Sequence, residues 1–189
     1  HTPVCLSLGT GFKPMVSLVG GSDLLKESER NGLWQGATRF TLAQTSVLIG
    51  DCQAVCQKAL RLGFRPDRIV IFPWGVDLDR FKPGIEPDLL SQLGWEDAFV
   101  LLSNRSWEPL YGVDVLVHAF VKAARQVPTL RLLLLGGGSQ SGLLRQILLE
   151  NGMLDRVSFG GQIKNEAWPR YHHAANFYLS SSHYPGSSV

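Results

Sequence analysis

Along the 189 residues, short runs of Leu, Ile, Val and Phe end in Gly or polar positions and then give way to longer stretches with helical period. The runs predict strands at Met15–Val19, Ser46–Ile49, Ile69–Phe72, Phe99–Ser103, Leu130–Leu135, Val157–Phe159 and Phe177–Leu179. Several are almost continuously apolar, the pattern of parallel strands covered on both faces. Between them, Gly32–Gln44, Cys52–Leu62, Val113–Val127, Leu143–Asn151 and Glu166–Ala175 read as helices. Val113, Leu116, Val117, Phe120, Ala123 and Ala124 trace the i, i+3, i+4, i+7 stripe of a helix packed on a sheet. Pro169 falls in a first helical turn, where a missing N–H does least harm. Strands alternating with helices predict an α/β fold with parallel sheets.

One stretch breaks the rhythm. Pro73–Gly84 has no clean period, is bounded by prolines, and leads into a short helix at Asp88–Leu93. A loop of that length inside a compact chain is usually functional or joins domains. It places a boundary between two lobes near residues 74–95. The closing segment Tyr184–Val189 reads as a loop, and the chain opens on His1, so a segment of a longer protein is expected.

Composition narrows the classes. A 44% hydrophobic, 18% charged chain is too apolar to be disordered. Eighteen Lys and Arg against sixteen Asp and Glu leave a charge of +2 with no basic stripe, which gives no case for nucleic acid. No apolar run approaches the ~20 residues of a membrane-spanning helix. Three Cys cannot all pair internally, which points to reduced thiols in a cytosolic protein. Cys52 and Cys56 lie four apart on one predicted helix face with no ligands placed to complete a metal site. The adjacent His172 and His173 point about 100° apart and cannot clamp one ion.

Four loops carry candidate chemistry, all after predicted strands, at the edge where open α/β sheets bind ligands. Gly20, Gly21, Ser22 and Asp23 form either a ligand-approaching loop or an ordinary capped turn. Gly136, Gly137, Gly138 and Ser139 precede a helix, an arrangement that suits an anion but matches neither G-x-G-x-x-G nor a P-loop. Arg105, in Ser103–Ser106, can aim five donors at a phosphate or pair with a neighbour. Because Arg105 and the Gly136–Ser139 loop end consecutive strands, both are expected at one crevice, with the Pro185–Val189 loop on the same edge.

Several segments, in order, resemble the retaining GT-B glycosyltransferases of group 1. Asp67–Pro83 resembles that family's interdomain crossing, I-x-V-I-P-N-G-V-D-x-x-x-F-x-P. Tyr111–Phe120 is similar to K-G-x-x-x-L-L-x-A-F, and Leu154–Gly161 to L-x-D-R-V-x-F-L-G. Tyr171–Pro185 follows its Y-x-x-A-D-x-x-x-x-P-S strand and loop. The likeness covers residues 14–189 and implies two Rossmann-like lobes with parallel sheets, both incomplete in this chain. Residues 1–75 would be the rear of an acceptor-side lobe, 76–95 the crossing, and 96–189 the front of the nucleotide-sugar lobe.

The implied activity is sugar transfer from a nucleotide-diphosphate donor to a sugar, lipid or small-molecule acceptor, with retention, no required metal and no cofactor. By position, the donor would meet Arg105, Gly136, Gly137, Gly138, Ser139, Gly161, Gln162, Ile163, Gly186, Ser187 and Ser188. Gly20, Gly21, Ser22 and Asp23 would face sugar or acceptor. Tyr111 stands where the family carries Lys, Gly20 where many members carry His, and Pro185 at the first Glu of E-x7-E. The implied setting is the cytoplasm, free or against the inner face of a membrane. A nucleotide-sugar epimerase on the same fold, or a GT-B-like binding module without chemistry, would share these features.

Overall fold

The structure, a computed structural model, describes residues 13–19, 24, 32–72 and 75–183. They divide into two compact units, one ending at Val76 and one spanning Asp77–His183. The candidate loops at Gly20–Asp23 and Gly186–Ser188 lie outside the described residues.

The first unit contains β1 (Val16–Val19), α1 (Gly32–Gln44), β2 (Val47–Gly50), α2 (Gln53–Arg61) and β3 (Ile69–Ile71). Its strands pair in parallel in the order β1-β2-β3. Leu42 of α1, Leu48 of β2, and Val55 and Ala59 of α2 bury one side of this sheet. On the other side Val16 and Leu18 are each 57% exposed, so among the described residues the expectation of two covered faces is not met in this unit. Cys52 is also not in the helix. Its extended backbone (φ −152°, ψ 164°) makes it the residue before α2. Both Cys52 and Cys56 are free thiols, and burial, followed by Cys52 and Asp51, pushes the Cys56 thiol up.

The second unit contains α3 (Pro87–Leu93), β4 (Phe99–Ser103), α4 (Val113–Gln126), β5 (Leu130–Leu135), α5 (Ser141–Glu150), β6 (Val157–Gly161), α6 (Trp168–Ala174) and β7 (Phe177–Tyr178). All strands are parallel, in the order β6-β5-β4-β7. Here both faces are covered. Leu132 and Leu134 of β5 pack with α4 and α5, while Leu133 and Leu135 pack with α3 and α6. That is why Leu132–Leu135 form an unbroken apolar run with no more than 1% exposure. Pro169 sits in the first turn of α6, as its missing N–H requires.

The segment after Val76 is strapped to α6. The Asp77 carboxylate accepts from the N–H groups of Asp79 and Arg80, closing a turn. Arg80 donates to the Asn165 carbonyl, His173 Nε2 meets the Lys82 carbonyl at 2.8 Å, and Glu86 pairs with Arg170 at 2.8 Å. Residues 77–86 thus belong physically to the second unit.

Candidate functional site

The strand order of the second unit marks where a candidate crevice lies. From β4 the chain crosses through α4 to β5 and through α5 to β6. It then returns through α6 to place β7 on the far side of β4. The order therefore reverses between β4 and β7, and in open α/β sheets ligands bind outside the carboxyl ends of the strands at such a point. Asn104 and Arg105 follow β4, and Leu179–Ser182 follow β7, so both segments emerge at this reversal.

Side chains tie the two segments together. Arg105 Nε donates to Ser180 Oγ at 3.1 Å, and the Tyr178 hydroxyl donates to Asn104 Oδ1 at 2.8 Å. The Arg105 side chain is half-buried, and its two terminal nitrogens make no hydrogen bond among the described residues. Ser180 therefore fixes the guanidinium through one nitrogen and leaves its fork of donors free.

The glycine loop after β5 lies directly beside Arg105. Gly136 donates its N–H to the Gly161 carbonyl at 2.7 Å, and a Cβ on Gly136 would come within 2.8 Å of the Arg105 carbonyl oxygen. Its φ of +121° is available to glycine and costly for other residues. Gly137 accepts from the Trp107 N–H at 3.0 Å, and the Gln162 side chain approaches the same glycine. Arg105, Gly136, Gly137, Gly161 and Gln162 therefore share one edge. Ile163 packs against the core on the α3/α6 side of the sheet.

Ser139 has a partner that its sequence context does not reveal. Its N–H donates to Glu108 Oε1 at 2.8 Å and its hydroxyl to Glu108 Oε2 at 2.5 Å. The hydroxyl and then the N–H hold the Glu108 carboxyl below the usual range. A carboxylate of the protein thus occupies both donors of Ser139, at the loop that leads into α5. Trp107 completes the clip, accepting from the Gln140 N–H at 2.9 Å and stacking edge-on against Phe159 at 5.8 Å. Arg145 covers the Phe159 ring at 4.0 Å. The partners Glu108, Trp107 and Ser180 carry no local motif. Only the strand order brings them to the loops.

Tyr111, at the family's Lys position, packs against the core of the second unit, and its carbonyl accepts from the Ser181 hydroxyl at 3.0 Å. His172 stacks among Phe81, Trp168 and Tyr178, and its pKa is lowered by burial and by His173. Among the described residues, no group of three or more His, Cys, Asp or Glu converges as a metal site would require, and no helix is long and apolar enough to cross a membrane.

The sequence profile of the family described as glycosyl transferases group 1 matches residues 87–188, more than half of the chain. The chain belongs to that family. A D-inositol 3-phosphate glycosyltransferase from Geodermatophilus obscurus is 33% identical over 188 residues, covering 94% of this chain and 38% of the relative. A GDP-mannose-dependent alpha-(1-6)-phosphatidylinositol monomannoside mannosyltransferase from Mycobacterium tuberculosis is 33% identical over 110 residues, or 56% of this chain and 28% of the relative. The chain thus spans well under half the length of these relatives. Among solved structures, HepE of Anabaena, in complex with UDP and glucose, matches with a TM-score of 0.78 at 20% identity. That match covers 92% of this chain and 47% of HepE. The expected fold, α/β with parallel sheets of the GT-B type, holds for this group 1 chain.

Proposed function

We propose that the whole protein transfers a sugar from a nucleotide-diphosphate donor to an acceptor with retention of configuration, and that the second unit of this group 1 chain holds the donor. The observation that carries this reading is Arg105, fixed by Ser180 at the strand-order reversal with its terminal donors free. Membership of the family supports the reaction class, and HepE, solved in complex with UDP and glucose, supports a nucleotide ligand. The base stays open, since one similar protein binds UDP and another is GDP-mannose-dependent. Inositol-containing acceptors of those relatives make a polyol or its phosphate the first acceptor class to try.

In this reaction the bond from the sugar's anomeric carbon to the diphosphate breaks, and a bond to an acceptor oxygen forms as that oxygen loses its proton. Charge accumulates on the leaving diphosphate. Donors fixed in advance at that position lower the barrier because they need not reorganise. Arg105 supplies such donors, with Gly137, Gly138 and the Gln162 side chain lining the same edge. Ser139 is engaged by Glu108, so its part is to hold the loop. The reading also includes a cytoplasmic setting and a crossing between lobes that is narrower than the expected 76–95, because residues 77–86 and α3 belong to the second unit.

Calorimetry on the full-length protein with UDP and GDP tests the assignment. Arg105→Ala should weaken the nucleotide that binds by about 1.5–3 kcal/mol, the range for a charge-assisted hydrogen bond. Arg105→Lys should also lose affinity, because a point charge cannot reproduce a bidentate fork. Unchanged affinity in both variants would refute the role. Turnover of a nucleotide sugar without any acceptor would favour an epimerase instead.

A further inference from the structure

The first unit contains a cleft of about 210 Å³ that the proposed reaction does not use. It lies between the C-terminal half of α1, the turn after α2 and the short helical turn Pro66–Arg68 that leads into β3. Thr45, just before β2, and Arg68, just before β3, line it. The cleft is therefore at the amino-terminal edge of its parallel sheet, opposite the edge at which such sheets bind substrates.

Its walls are strongly basic. Arg39, Arg65 and Arg68 all line it. Arg65 is held by Asp67 through two hydrogen bonds of 3.0 and 2.7 Å. Arg39 and Arg68 make no side-chain hydrogen bond or ion pair among the described residues. Three guanidinium groups thus face one carboxylate, above a floor formed by the buried Leu42 and Phe64. The cleft shares the basic balance of the unit's described residues, which carry six Lys or Arg and two Asp, Asp51 and Asp67. Arg39 comes from a helix with no other charge, so nothing on its own element competes for it.

One carboxylate, Asp67, serves both Arg65 and Arg68, so the cleft keeps an excess of positive charge that a bound anion would balance. Guanidinium forks match the oxygens of a phosphate better than those of a compact, strongly hydrated ion such as chloride. The apolar floor adds room for the organic part of a phosphate ester. We propose that the Arg39–Arg65–Arg68 cleft binds a phosphate-bearing ligand, separate from the sugar-donor site on the second unit.

The probe is inorganic pyrophosphate, titrated by calorimetry into the full-length protein carrying Arg105→Ala, which weakens the donor site. A binding event should remain in that background. It should weaken roughly ten- to hundred-fold when Arg39→Gln and Arg68→Gln are added, as expected for losing charge-assisted contacts. It should also weaken as salt is raised. Both arginines are exposed and make no side-chain hydrogen bond among the described residues, so the substitutions should leave the melting temperature in place, which circular dichroism checks. Vesicles of phosphatidylglycerol and of phosphatidylcholine form the second arm. Arg39- and Arg68-dependent binding to the anionic vesicles, displaced by pyrophosphate, would identify a lipid headgroup as the source. Pyrophosphate binding without vesicle binding would identify a soluble phosphate ester. No binding of either probe, or equal binding with and without Arg39 and Arg68, would overturn the proposal.

Discussion

Arg105 and Glu108 are three residues apart on one loop, yet they do opposite work at the carboxyl edge of the second sheet. Arg105 keeps its terminal donors free, while Glu108 spends its carboxylate on the N–H and hydroxyl of Ser139. The second contact has a definite pH signature. Hydrogen bonds from Ser139 stabilise the ionised carboxylate, so the folded-state pKa of Glu108 lies below its unfolded value. The contact therefore contributes fully above the unfolded value and is lost as pH falls through the depressed folded one. Melting temperatures of the wild type and Glu108→Gln should differ most near neutrality and converge in acid. A gap that stays constant or widens on acidification would show that the carboxylate does not hold the loop.

Among the elements, the loop after β5 is the most constrained. Gly136 has φ +121°, and the carbonyl of Arg105 lies where its Cβ would stand. Gly136→Ala should cost about 1–3 kcal/mol, the usual penalty for forcing a side chain into such a region. The same substitution should push the Arg105 loop away and weaken nucleotide binding. Chemical denaturation and calorimetry on one variant measure both, and a stable, normally binding Gly136→Ala would contradict the close approach of the two loops. The segment after Val76 behaves differently. Its ties from Arg80, Lys82 and Glu86 all run to α6 or the turn before it, which makes it part of the second unit.

At the scale of the whole chain, the two units are unequal. Among the described residues, the first has a core cluster of six buried residues, the second clusters of fifteen and seven. Exposed Val16 and Leu18 further weaken the first unit, because that apolar area stays in water. Unfolding of the 189-residue chain should show two transitions, the first unit melting earlier. Leu48→Ala should lower the first and Leu132→Ala the second, each by about 2–5 kcal/mol, since both side chains are fully buried. Calorimetry showing one transition that responds to both substitutions would mean the units fold as a single body.

What the sequence determined by itself was local. Runs of branched residues and the 3.6 period mark Phe99–Ser103, Leu130–Leu135 and α1 to the residue, because strand and helix period depend on neighbours a few positions away. The ends of α2 and α5 shifted by one or two residues, as caps depend on backbone torsion as well as on residue type. Their places directly after predicted strands likewise singled out Arg105 and the glycine loop. Only the tertiary structure decided what they meet. Ser180 is 75 residues from Arg105 and Ser139 is 31 from Glu108, separations that no local period encodes. Both contacts exist because parallel pairing of β4 with β5 on one side and β7 on the other brings their following loops to one edge. The arginine cleft has the same origin, since Arg39 and Arg68 come from different elements that converge only when α1 and the turn before β3 pack at one end of the first sheet.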